Sequence, residues 1–138
     1  SFLVSCDNAH AVHPAHPELS DPTHAPVLGG GIVIKYNAAQ HYTTDGVSSA
    51  LFRLICEEAG VAAQDYANRA DMPGGSTLGN ISASQLSVCS VDIGIAQLAM
   101  HSCRETAGAS DTEAMIRALT VFYEKTLICE RDGEYKLL

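Results

Sequence analysis

The chain is short of charge, and shortest of positive charge. Only 17% of its 138 residues are Asp, Glu, Lys or Arg, below the usual quarter, which implies that much of its surface faces other protein rather than water. Eight bases stand against 16 acids, a formal charge of −8. That balance argues against a cationic field for nucleic acid or for an anionic membrane surface. No apolar run approaches the ~18–20 residues of a membrane span. No CxxC pair or metal-finger spacing occurs among the five cysteines, Cys6, Cys56, Cys89, Cys103 and Cys129, so they read as buried free thiols of a cytosolic protein. Residues 1–6 lack the basic start and long apolar stretch of a secretory signal. They resemble the inside of a strand, so the N-terminus is expected to be a cut through a longer chain. Asn80-Ile81-Ser82 matches a glycosylation acceptor, but without a signal it carries no weight. What is present is apolar: hydrophobic residues reach 46%, enough to exclude disorder, and the length suits one domain or part of one.

The pattern along the chain alternates strands with helices. Residues 1–6 read as a buried strand ending at Cys6-Asp7. Residues 8–31 hold four of the five prolines and four of the six histidines and end in Gly29-Gly30-Gly31, which reads as a long loop. Ile32 to Tyr36 is a β-branched strand. Residues 45–59 place Val47, Leu51, Leu54, Ile55 and Ala59 on one helical stripe that Gly60 terminates. A short strand is expected within 61–69, a loop at 71–76, a short helix at 77–86 and a buried strand from Val88 to Ile93. Ser110 and Glu113 form a capping-box pattern ahead of a helix of about 111–127, with Met115, Leu119, Phe122 and Tyr123 on one face. A tail of mixed charge follows. The order favours an α/β fold: a mostly parallel sheet flanked by helices.

Three familiar motifs fail on inspection. Gly29-Gly30-Gly31 precedes a strand, whereas a dinucleotide fingerprint sits between strand and helix. Gly74 and Gly79 have P-loop spacing, but Asn80 replaces the required Lys. Leu78 occupies the second glycine position of a nucleophile elbow around Ser76.

Three features survive. In Asp7-Asn8-Ala9-His10-Ala11-Val12-His13-Pro14, an acid at a strand end is followed by His10 and His13, ligand types suited to zinc, manganese or cobalt. The alternative is a solvated loop whose histidines cap backbone groups. In Gln97-Leu98-Ala99-Met100-His101-Ser102, His101 follows a strand, either as a core histidine or as a second ligand converging on the same sheet edge. Lys35 interrupts an apolar strand, with Tyr42 just beyond. Its ammonium needs a partner, either one of the acids or a substrate carboxylate.

These stretches, with Val33-Ile34-Lys35-Tyr36-Asn37, Gln40-His41-Tyr42 and Gly75-Ser76-Thr77-Leu78-Gly79, carry a resemblance. The chain resembles the aspartyl aminopeptidase family, the M18 metallopeptidases, from its first residues to about Tyr123. The resemblance implies that residues 1–138 are the C-terminal part of the proteolytic domain, without its N-terminal part and dimerisation insertion. It implies a cytoplasmic, dinuclear-zinc aminopeptidase that releases N-terminal Asp or Glu from peptides and assembles as a dodecamer. Manganese or cobalt are the alternative metals. Asp7 and His101 would be zinc ligands, while Asp7, His10, Lys35 and Tyr42 would line the substrate site. His13 would serve subunit packing. The general-base Glu would lie upstream of residue 1, so the fragment alone would be inactive; a non-catalytic fragment or oligomer-interface module is the alternative reading. Asn8, Ala15-His16, Gly74 and Ile95-Ala96 depart from the usual pattern but remove no proposed ligand.

Overall fold

The computed structural model describes residues 1–131 and 134–138. Its strands are β1 (Phe2–Cys6), β2 (Ala9–His10), β3 (Ile32–Tyr36), β4 (Ala63–Ala67), β5 (Cys89–Leu98), β6 (Thr106–Ala107), β7 (Leu127–Arg131) and β8 (Glu134–Leu137). Its α-helices are α1 (Gly46–Ala59), α2 (Leu78–Gln85) and α3 (Ala109–Glu124), with a short 3-10 turn at Pro17–Leu19. The main sheet runs β1-β5-β3-β4, and β2 and β6 also pair with β5. β1 and β2 lie parallel to β5, and β4 lies parallel to β3. Only β3 and β6 run antiparallel to β5, so the sheet is mixed but mostly parallel, as the alternating pattern implies.

Side-chain alternation along β3 and β5 divides the core. Ile32, Ile34, Val91 and Ile93 pack with Phe52, Ile55, Cys56 and Ala59 of α1 and Ala118 of α3. Val33 faces the opposite layer with Ala9, Tyr42, Tyr66 and Ala96. Lys35 and Asp92 alternate onto that second face as well, which places two charged groups under the loops rather than in the helix-covered core.

The α1 stripe is displaced from the expected one. The helix buries Leu51, Phe52, Ile55, Cys56 and Ala59, while Val47 and Leu54 are exposed. Both heptad-like stripes satisfy the sequence period, and contact with the sheet and α3 selects the one through Phe52. At its start Asp45 accepts from Ser48 N–H at 2.7 Å and Ser48 answers the Asp45 N–H, a capping box that the residue types permit. The expected Ser110–Glu113 box does not form. Gly108 is the N-cap of α3, and Asp111 instead turns its buried carboxylate to the N–H groups of Gly29 and Gly31, at 2.7 and 2.9 Å. Gly31 has φ +93°, and a Cβ there would meet the Ala62 carbonyl, so this turn requires glycine. α3 ends at Glu124, because Leu127 begins the β7–β8 hairpin. Tyr123, expected on the apolar face, is 81% exposed.

Three further expectations are corrected. β5 continues to Leu98 rather than stopping at Ile93. The loop of residues 8–31 carries β2 and the 3-10 turn. Among the cysteines only Cys56 is buried; Cys6, Cys103 and Cys129 are exposed and Cys89 is half-buried. Two residues of the mixed-charge tail, 132 and 133, lie outside the described residues.

Candidate functional site

β1 and β2 are one strand interrupted. Cys6 pairs with Ile93 and Ala9 with Ala96, so the register is the same on both sides of Asp7-Asn8. Asp7 keeps one ladder bond, its N–H to the Ile93 carbonyl at 2.9 Å. Between the two paired segments, the Asp7 carbonyl presses on Gly94: a Cβ at Gly94 would stand 2.0 Å from that oxygen. The absent side chain of Gly94 is therefore what lets the chain pass so close to β5 at this break.

Lys35 holds this break from the other side. It is 1% exposed, and its Nζ donates to the Asp7 carbonyl at 2.9 Å and sits 3.5 Å from the Asn8 carbonyl. The Tyr42 ring centroid is 5.2 Å from Nζ, a cation–π arrangement. Among the described residues no carboxylate forms an ion pair with Lys35, so the partners of its ammonium are backbone carbonyls and an aromatic face. Burial pushes the Lys35 pKa down, opposed by the nearby charges of Asp7 and Asp92. Burial pushes the Tyr42 phenol up, and the Asp92 and Asp7 carboxylates add to the shift. Tyr66 packs beside Tyr42, with ring centroids 6.3 Å apart, and its pKa is pushed up to about 12, chiefly by burial.

His10 and His101 lie within electrostatic reach of each other. Burial pushes the His10 pKa down, and His101 is the next cause, then Lys35. His101 sits three residues beyond β5 with φ +67°, after Ala99 at φ +54°, and its N–H donates to Glu105 Oε1 at 2.6 Å. Two left-handed residues, separated only by Met100, tighten this turn; such backbone is uncommon outside glycine. His101 is exposed, so the core-histidine alternative does not apply. Asn8 donates to Gln97 Oε1 at 2.7 Å, tying the Asp7 loop to the end of β5. The structure thus gathers Asp7, Lys35 and Tyr42 in one group, with His10 and His101 within electrostatic reach of each other. A cavity of about 250 Å³ opens next to His10, lined also by Tyr66, Asn68 and Arg69, but Asp7, Lys35 and His101 are not on its wall. His13 is exposed and stacks near His16.

Several site-building residues escape a reading of the sequence. Asp92 is fully buried in β5 and accepts from Thr43 and Thr77. Its signal was the one that singled out Lys35, a charge within a β-branched run.

A family model described as aminopeptidase I zinc metalloprotease (M18) matches residues 1–123. The chain belongs to the M18 family. A probable M18 family aminopeptidase 2 of Pseudomonas aeruginosa is 46% identical over 123 residues, which cover 89% of this chain and 29% of that protein. One from Clostridium novyi is 47% identical over 89% of this chain and 28% of its own length. The fold matches yeast aminopeptidase 1 with a TM-score of 0.79 at 30% identity, covering 89% of this chain and 26% of the yeast chain. The M18 aminopeptidase of Thermotoga maritima matches with a TM-score of 0.76 at 27% identity, over 87% of this chain and 28% of that one. This M18 chain therefore spans a little under three tenths of the curated relatives it matches. A related S. cerevisiae aminopeptidase has been solved as a dodecamer.

The side chains fit the family's zinc in kind. The Asp7 carboxylate and the His10 and His101 imidazoles engage in no side-chain hydrogen bond among the described residues, and carboxylate oxygen and imidazole nitrogen are ordinary zinc donors. They do not fit in number: no three His, Cys, Asp or Glu residues among the described ones group as a metal site. Completion would require ligands beyond the described residues.

Proposed function

We propose that this chain supplies part of the active site of a zinc-dependent aminopeptidase, releasing N-terminal Asp or Glu from peptides in the cytoplasm as one subunit of a homo-dodecamer. The carrying observation is the Asp7 strand break: a carboxylate without a hydrogen-bond partner among the described residues, its backbone held against Gly94 and by Lys35, with His10 ending β2 and His101 following its partner β5. Asp7 and His101 would each hold one of two zinc ions, with manganese or cobalt as substitutes. When bound, the metals supply Lewis-acid activation of water and of the scissile carbonyl. The general base is assigned to a glutamate outside this chain.

Within the chain, Lys35 and Tyr42 would present a cationic, largely dehydrated wall to an acidic side chain. An uncharged side chain leaves that ammonium without a counter-charge, which supports selectivity for Asp and Glu. His10, with its pKa lowered, is a neutral imidazole at physiological pH and can accept or donate one hydrogen bond to the substrate. His13 would contribute to subunit packing. Isolated, the chain would be inactive, since the general base is assigned elsewhere and no complete donor set groups among the described residues.

A second reading, an oligomer-interface module without catalysis, is favoured by Leu78 and Ile81 on α2 and Leu86 just after it, all exposed. The distinguishing experiment is hydrolysis of peptides with N-terminal Asp, Glu or Ala by the full-length parent, before and after chelation. Chelator-sensitive release of Asp and Glu in preference to Ala supports the enzyme; no release by the metal-loaded parent supports the interface module.

A further inference from the structure

Asp92 is a fully buried carboxylate that the proposed chemistry does not use. Its Oδ2 accepts the Thr43 N–H at 2.7 Å and the Thr43 hydroxyl at 2.9 Å. Its Oδ1 accepts the Thr77 hydroxyl at 2.6 Å. Its main-chain N–H donates to Thr44 Oγ1 at 2.9 Å. No cation pairs with it among the described residues, so the carboxylate is satisfied entirely by donors from two loops. An apolar side chain of similar size would fill a core position without the cost of burying a charge. What the carboxylate adds is geometry: it draws segments 49 and 15 residues distant in sequence onto one atom pair.

Both segments adapt to it. Thr77 is the N-cap of α2, yet its hydroxyl does not cap the helix and turns to Asp92 instead. Gly79, in the first turn of α2, lies so close that a Cβ would stand 2.7 Å from Asp92 Oδ2. The Gly79 N–H donates to Ser5 Oγ at 3.0 Å, which fixes that turn to β1 just before Asp7. On the other side, Thr43 is the neighbour of Tyr42, whose ring lies over the Lys35 ammonium. A continuous path of contacts runs from the α2 turn through Asp92 and Thr43 to Tyr42, Lys35 and the Asp7 carbonyl.

We propose that Asp92 is a positioning residue: its carboxylate fastens the loop of residues 37–45 to the Thr77 turn and so sets Tyr42 against Lys35 in the substrate site. Its effect on substrate rests on the reading of that site as an acidic-peptide aminopeptidase; its effect on the loop does not.

The test uses the full-length parent with Asp92→Ala, Thr77→Val and Thr77→Ser, reading amide hydrogen exchange and peptide kinetics together. In Asp92→Ala, exchange at residues 38–44 should accelerate about tenfold or more while exchange within α1 stays as in wild type. KM for a peptide with N-terminal Asp should rise about tenfold, with kcat changed by no more than about twofold. Thr77→Val should shift both readouts in the same direction, and Thr77→Ser, which keeps the hydroxyl, should restore them. Unchanged exchange at 38–44, or Thr77→Ser behaving like Thr77→Val, would overturn the proposal. So would a lowered melting temperature with KM unaltered. If the wild-type parent cleaves no such peptide, the aminopeptidase reading fails, and the exchange measurement alone still decides the role of Asp92.

Discussion

The Lys35 ammonium donates to the main-chain carbonyl of Asp7 at 2.9 Å. A side chain that the family resemblance assigns to substrate recognition is therefore also part of the support for a proposed metal ligand. With one donor committed to Asp7 and the Asn8 carbonyl at 3.5 Å, Lys35 retains N–H capacity for a substrate carboxylate.

Lys35→Met in the full-length enzyme should then do two things at once. Losing the charge-assisted contact to substrate should reduce the preference for N-terminal Asp over Ala by roughly tenfold, about 1.4 kcal/mol. Leaving the Asp7 carbonyl without its donor should also lower the melting temperature. The ratio of kcat/KM for the two substrates, measured alongside thermal unfolding, checks both; a lowered melting temperature with an unchanged ratio would assign Lys35 to support alone.

Gly94→Ala tests this close approach directly. The new methyl group would lie 2.0 Å from the Asp7 carbonyl oxygen, a backbone contact that no rotamer can relieve. Destabilisation of about 3 kcal/mol or more is expected, together with loss of bound zinc in the parent as Asp7 is displaced. Chemical denaturation and metal content would be measured on the same preparation. A variant as stable as wild type would show that the Asp7 backbone does not pack against Gly94.

Cys56 makes alkaline pH informative. Burial pushes its thiol up to about 11 from 9.0. The folded form therefore holds its proton more tightly than the unfolded form. The resulting stability is complete below pH 9 and is lost as pH rises through about 11. A shift of this size corresponds to about 2–3 kcal/mol. Cys56→Ala should flatten the decline in stability between pH 9 and 11. At pH 8 the exposed Cys6, Cys103 and Cys129 should react with a thiol reagent while Cys56 reacts only after unfolding.

The sequence pattern conveyed elements better than partners. The β-branched run of β3, the Gly60 stop and the alternation of strands with helices are local signals, and each corresponds to an observed element. Lys35 and Asp92 raise the same local question, a charge inside an apolar strand, yet their answers lie in tertiary contacts: Lys35 finds backbone carbonyls of a strand break, and Asp92 finds Thr43 and Thr77. Asp111 shows the limit from another side. Its helix has a good capping-box pattern at Ser110 and Glu113, but the glycine turn at Gly29 and Gly31 offers two N–H groups, that of Gly31 buried, and Asp111 turns to accept from both. The motifs single out Asp7 and His101 as side chains of metal-binding type, whereas the close approach of Asp7 to Gly94 depends on a register between strands far apart in sequence.

The most direct test of the account is zinc content together with aspartyl-peptide hydrolysis in the full-length parent carrying Asp7→Ala or His101→Ala. Each substitution removes an exposed side chain that makes no hydrogen bond among the described residues, so the fold should survive. The account predicts that bound zinc falls by about one ion per subunit in each variant and that turnover drops roughly a hundredfold or more. Full zinc occupancy with near-normal turnover in either variant would contradict it.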